Sequence, residues 1–237
     1  MSELLANPKI CGACNKPGCS LKCACKLVFY CGEECQRAHW PTHKKDCRLA
    51  LAKKVKDAKR EHGRDDKAVA MARVDSGNAH AEQGRYREAE QCYLEARRIY
   101  LEIYGEGHPA SAGVSVVLGE LYSLMGRYDE ALPMQLESLD AFRSSQGERS
   151  ESVGITLRSI GSTLYAQGKY EEALARLEEA QSILTETSGA EHSHVGGVLT
   201  HKGNCLCRLG RLDEARAMHQ EALRIDRIAH GDDSSVV

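Results

Sequence analysis

The chain is 237 residues long and carries 32 Lys and Arg against 34 Asp and Glu, a formal charge of −2. That length allows one large domain or two modest ones. The near balance of charge excludes a broadly basic nucleic-acid binder, and no apolar run reaches the roughly 20 residues that span a bilayer. Eight of the 11 cysteines fall within Cys11–Cys47. No charged-then-apolar leader precedes them, so a cytoplasmic or nuclear setting with reduced thiols is expected. In such a setting a dense cysteine cluster marks a metal site rather than a disulfide framework.

The charge is divided along the chain. Residues 1–67 hold 15 Lys and Arg with 8 Asp and Glu, and residues 68–237 hold 17 with 26. Zinc-bound thiolates would leave the first part mildly basic, while the second is clearly acidic. The first predicted element is built on Cys11-Gly-Ala-Cys14, Cys23-Ala-Cys25, Cys31, Cys35, His43 and Cys47. Eight soft ligands are enough for two tetrahedral zinc sites. The segment has almost no apolar core, so metal binding would supply its folding free energy.

CGAC at Cys11, FYC at Phe29–Cys31 and CQRAHWPTHKKDC at Cys35–Cys47 resemble a MYND-type zinc finger, expected over residues 8–47. The resemblance implies two zinc ions with interleaved ligands. Cys11, Cys14, Cys31 and Cys35 would hold the first, and Cys23, Cys25, His43 and Cys47 the second. Two departures stand out. Cys23 and Cys25 enclose only Ala24 where the family has two residues, and Cys19 is a nearby thiol that leaves the choice between Cys19 and Cys23 open. His39 falls one helical turn before His43 and reads as a surface residue beside Trp40. Trp40, the chain's one tryptophan, either packs the finger or joins Gln36 in a shallow groove. In fingers of this kind that groove resembles a docking site for short proline-containing peptides.

Residues 48–67 follow as a basic helical linker. Leu49, Leu51, Val55 and Ala58 are spaced for a helix that frays near Gly63. Asp57 and Glu61 interrupt its basic charge, which favours a solvated linker over a basic docking surface or nuclear import signal.

The remainder repeats with a fixed period. Gly84-Arg85-Tyr86, Gly126-Arg127-Tyr128, Gly168-Lys169-Tyr170 and Gly210-Arg211-Leu212 each lie 42 residues apart. Gly77, Gly119, Gly161 and Gly203 keep the same step, as do Glu88, Glu130, Glu172 and Glu214 with the alanines that follow them. Four copies in register define units over about 68–109, 110–151, 152–193 and 194–235. Each reads as a helix–turn–helix hairpin. A small residue such as Gly119 lets the paired helix approach, Gly126 stops the first helix, and the apolar face stays bare until a neighbour stacks on it.

These units resemble tetratricopeptide repeats. The 42-residue period and the link Tyr104–Pro109 are similar to the longer variety found in kinesin light chains. The resemblance implies a mainly α fold for residues 68–237, a right-handed superhelix whose first helices line a concave groove. By register that groove would take Val74, Asn78, Ala81, Val116, Glu120, Ser123, Arg158, Ser162, Tyr165, Thr200, Asn204 and Cys207. Asn78, Arg158 and Asn204 are expected to bind an extended peptide or a terminal carboxylate. Val74, Val116 and Val117 stand where a chaperone-tail clamp needs polar groups, so that ligand is not expected. Cys92, Cys205 and Cys207 read as packing or groove thiols. Gly231–Val237 fall at the offset of the link at Gly105, which leaves open both a fragment and an end whose last hairpin self-associates.

No Gly-rich phosphate loop, Ser/His/Asp set or Cys/His pair has supporting context, and the catalytic domains that accompany such fingers elsewhere have no room here. The expectation is a non-enzymatic zinc-binding adaptor for partner proteins, without small-molecule substrate or membrane. The alternative is a nucleic-acid-associated regulator using the basic finger and linker. Replacing Cys31 or His43 should release zinc and unfold the finger while the repeats keep their helical circular-dichroism signal. Loss of the whole signal on chelation would contradict this division.

Overall fold

The computed structural model describes residues 21–22, 29–30, 50, 52–61, 63 and 66–230. It is mainly α and falls into two compact units, Met1–Ile103 and Tyr104–Val237. All eight expected zinc ligands, Cys19, His39, Gln36 and Trp40 lie outside the described residues.

In the first unit, strand β1 (Leu21–Lys22) pairs antiparallel with β2 (Phe29–Tyr30), Leu21 opposite Tyr30 and Lys22 opposite Phe29. Helix α1 covers residues 52–61, and α2 (Lys67–Ala81) and α3 (Tyr86–Tyr104) form a hairpin. The Asp66 carboxylate caps α2 by accepting from the Ala68 amide at 2.7 Å. The segment expected to be a solvated linker is tied to this hairpin. Val55 is buried, Lys54 pairs with Asp75, and Glu95 receives both Lys59 Nζ at 2.8 Å and Arg73 Nε at 2.7 Å.

The second unit holds three hairpins: α4 (Pro109–Leu124) with α5 (Tyr128–Gln146), α6 (Glu151–Ala166) with α7 (Tyr170–Ser188), and α8 (Ser193–Arg208) with α9 (Leu212–His230). The first helices start at 67, 109, 151 and 193 and the second at 86, 128, 170 and 212, so the 42-residue step of the sequence is also the step of the elements. Apolar spacing puts Val153, Leu157 and Ile160 of α6 against Leu177, Ile183 and Leu184 of α7, all at most 1% exposed. Val195, Val198 and Leu199 of α8 extend the same core.

Each turn closes the same way. Gly126, at φ 75°, ends α4, and its amide bonds to the Ser123 carbonyl while the Arg127 amide reaches back to Tyr122. This pair of bonds satisfies carbonyls that the helix end would otherwise strand. The same pair recurs at Gly84, Gly168 and Gly210. His108, Ser150 and His192 cap the starts of α4, α6 and α8 with a side-chain acceptor.

The glycine about two turns earlier has a different task. A Cβ on Gly161 would lie 2.6 Å from Leu177 Cγ and 3.4 Å from the Ala173 carbonyl oxygen. Gly113, on the same kind of helix, has nothing within 4 Å of that position. The same substitution should therefore have opposite signs. In urea unfolding, Gly161→Ala should lose about 1–3 kcal/mol to overpacking, while Gly113→Ala should gain about 0.4–1 kcal/mol from the stiffer unfolded chain.

Candidate functional site

In Tyr104–Val237 the first helices touch one another in succession, α4 with α6 and α6 with α8, and make one continuous inner face. Most sequence-expected groove positions of this unit reach it: Glu120, Ser123, Arg158, Ser162, Tyr165 and Asn204 are half-buried, and Thr200 and Cys207 are exposed. Val116 is 5% exposed and belongs to the core, because it packs with Leu139 and Phe142 inside the cluster. Asn78 belongs to the other unit. It is exposed, and its amide oxygen accepts from the Tyr93 hydroxyl at 2.7 Å, so the amide's NH2 is what it offers a ligand.

Between α6 and α8 the inner face is built around Arg158. Its guanidinium lies over Gly197, Nη1 3.4 Å from where a Cβ would stand. Any larger residue at Gly197 would crowd the guanidinium. Arg158 Nε is buried without an acceptor. His201 stands near enough to feel its charge, and so does His194. Burial lowers the pKa of His201 below its ordinary 6.5, and Arg158 lowers it further. His194 is lowered by burial, then by His192 and Arg158, against the pull of Glu151, whose Oε1 is 3.5 Å from its Nδ1. One end of the groove is thus a cation flanked by two neutral imidazoles.

The other end is aromatic. Tyr165 and Tyr170 meet with ring centroids 5.6 Å apart. Arg208 of α8 donates from Nε to the Tyr170 hydroxyl at 3.0 Å, with its guanidinium carbon 5.5 Å from the ring centre. Sequence reading missed Arg208, His194 and His201. Their only signal was position, one to three helical turns from Asn204 on the same helix, and the period alone gives no reason to single them out.

The distribution of charge is selective. Of the ten arginines described in this unit, seven pair with carboxylates: Arg127, Arg143, Arg149, Arg176, Arg211, Arg216 and Arg224. All seven lie on second helices or in links. Arg158 and Arg208 are the arginines of α4, α6 and α8, and among the described residues neither has a carboxylate partner. Arg227 on α9 is the third without one.

Cys92 and Cys205 are buried and Cys207 exposed. Burial raises both buried thiols, Cys205 to about 11, which suits packing rather than reactivity. A cavity of about 430 Å³ opens between α8 and α9, lined by Thr200, His219, Leu223 and Asp226 among others. No helix among the described residues is long and apolar enough to cross a membrane.

Family comparison matches the tetratricopeptide repeat over residues 68–144 and 111–186, and again over 197–235. The MYND finger matches over 11–47. A curated relative, Dauer abnormal formation protein 25 of Caenorhabditis elegans, is 48% identical over 40 residues, 16% of this chain and 10% of that protein. The match therefore spans about a tenth of that relative. Among solved structures, BtubC from P. vanneervenii matches with a TM-score of 0.63 at 18% identity over 84% of this chain and 78% of its own. A putative kinesin light chain from Podosopora anserina matches at 0.62 and 16%, over 83% and 93%. A Rap protein complexed with Competence and Sporulation Factor matches at 0.65 and 17%, over 83% and 53%. At these identities the likeness is one of fold. Tetratricopeptide-repeat folds are typically non-catalytic scaffolds.

Because His201 binds its proton less readily folded than unfolded, the unfolded chain takes up more protons just below pH 6.5. Stability is full above that value and falls as pH drops through it. His201→Gln should flatten the fall in Tm as pH drops below about 6.5. A slope equal to that of the parent protein would remove His201 from the account.

Proposed function

The chain belongs to the tetratricopeptide-repeat family and carries a MYND finger at residues 11–47, and on that premise we propose that it is a non-enzymatic adaptor with two peptide-docking sites. The finger, held by zinc, takes a short proline-containing motif at Gln36 and Trp40. The inner face of the repeats takes an acidic segment of a second protein at Arg158 and Arg208. Joining both on one chain raises the effective concentration of one partner for the other. Zinc-bound thiolates suit a reducing compartment, so the reading places it in the cytoplasm or nucleus.

Two zinc ions suit the donor set. Seven thiolates and one imidazole make two closed four-coordinate sites, Cys11, Cys14, Cys31 and Cys35 for one and Cys23, Cys25, His43 and Cys47 for the other. Metal there is structural: it orders a segment that lacks a core, and four protein ligands leave no open position for chemistry.

The observation that carries the repeat site is the charge partition. Second helices and links hold almost all the carboxylates and pair their own arginines. The inner helices keep two guanidiniums free of carboxylate, one with a buried Nε that no acceptor meets. Burying an unmatched cation costs free energy, and a carboxylate ligand would relieve that cost. Asn204 would bond the backbone of the same segment. Arg158 and Tyr165 are seven residues apart on α6, roughly 10 Å along the axis. An extended peptide rises about 3.3 Å per residue, so the favoured ligand has acidic side chains about three or four residues apart.

Fluorescence anisotropy of the full chain with such a peptide tests this. The acidic peptide should bind and its Gln-substituted counterpart should not. Arg158→Gln and Arg208→Gln should each weaken binding about tenfold or more, since a hydrogen bond to a charged group contributes about 1.5–3 kcal/mol. Equal affinity for both peptides would sink the acidic-segment reading.

A further inference from the structure

We propose that zinc in the finger keeps α1 in place as the cap of the first repeat, so that metal loading sets the order of α2 and α3. This rests on the reading that the finger holds zinc.

What α1 replaces is visible in the register. In the second unit α5 precedes the hairpin α6/α7, with Gln135 Nε2 donating to Ser159 Oγ at 2.8 Å and Arg143 Nη2 to Glu179 Oε1 at 2.7 Å. Asp75 and Glu95 stand two 42-residue periods before Ser159 and Glu179. Their partners are Lys54 and Lys59 of α1. In both cases the earlier residue of the covering helix reaches the first helix of the hairpin and the later residue reaches the second. So α1 takes the place that an outer helix takes in an interior repeat. A stacked array needs such cover at its end, because its terminal hairpin otherwise leaves an apolar face in water.

The attachment of α1 is slight. Its described helical residues are 50 and 52–61, a span over which an isolated helix is marginal in water. Among them only Val55 is buried. The two lysine pairs are part-exposed, with side-chain exposures of 45% and 27% for Lys54 and Asp75 and 31% and 27% for Lys59 and Glu95, where ion pairs contribute little. An outer helix such as α7 buries Ala173, Leu174, Leu177, Ala180, Ile183 and Leu184. α1 therefore depends on a second anchor.

The chain supplies one at the other end of the helix. Helical structure is present by Ala50, and Cys47, a zinc ligand on the reading above, precedes it by three residues. Fixing Cys47 to a metal removes conformational freedom from the residues that start α1, which lowers the entropy cost of forming it. Without metal that cost returns, α1 frays, and Glu95 loses Lys59. Arg73, the other partner of Glu95, precedes the inner-face position Val74, so the effect reaches the side of α2 that carries Asn78.

Hydrogen exchange of the full chain, read by mass spectrometry with zinc and after chelation, tests the coupling. Amides of α2 and α3 should exchange about tenfold faster or more after chelation, and those of α6 and α7 at an unchanged rate. Val55→Asp detaches α1 without touching a ligand. With zinc still bound, its α2 and α3 should exchange at the chelated rate, and chelation should add nothing. Unchanged α2 and α3 exchange on chelation, in protein shown by elemental analysis to carry zinc, overturns the coupling and leaves the finger reading intact. So does acceleration spread equally over α6–α9, which would be global. Protein that carries no zinc removes the finger reading and this inference with it.

Discussion

The close approach of paired helices at one glycine per repeat is the constraint on which the rest depends. At Gly77, Gly119, Gly161 and Gly203 the space a Cβ would need is filled by Tyr93, Gln135, Leu177 and His219 respectively. Those four residues are themselves 42 apart. The glycine is therefore kept at the same register position while the side chain that fills the space changes. Tyr93 uses the contact to reach Asn78, Gln135 crosses to the next hairpin at Ser159, and Leu177 serves as plain core. A glycine in a helix costs about 1 kcal/mol of propensity, and the packing it permits between fully buried side chains offsets that cost.

On this constant frame charge is free to vary by face. The second helices are acidic and pair their arginines locally, usually with a glutamate three residues away, as Arg127 does with Glu130 and Arg211 with Glu214. Such exposed pairs add little to stability; their larger consequence is to neutralise the outside of the molecule. The inner helices lack that self-sufficiency. Arg158 and Arg208 meet glycine, imidazole and phenol rather than carboxylate. Local satisfaction outside and incomplete satisfaction inside is the arrangement expected of a surface shaped for a ligand, since a protein gains nothing in stability by leaving a half-buried guanidinium unmatched.

An array built this way has ends, and ends are where a repeat protein differs from its interior. At the start, a short basic helix stands in for an outer helix and meets Asp75 and Glu95 with lysines. Its basic composition, which in isolation suggests solvation, is the complement of the acidic residues that the first repeat turns toward it.

The sequence by itself determined the repeat, its period, its turns and the family of both segments. Each of these is set by features close in the chain: Gly126 can close only the turn beside it, and the cysteines of the finger motif all fall within Cys11–Cys47. The tertiary structure decided what depends on stacking. It turned Val116 into core, because Leu139 and Phe142 close over it, and it brought Arg158 of one hairpin over Gly197 and beside His201 of the next. It also tied residues 52–61 to the α2/α3 hairpin through Val55 and the Lys54–Asp75 and Lys59–Glu95 pairs. Those outcomes join residues more than 20 positions apart, and the period that makes the repeats legible says nothing about which differing side chains meet across the interface between them.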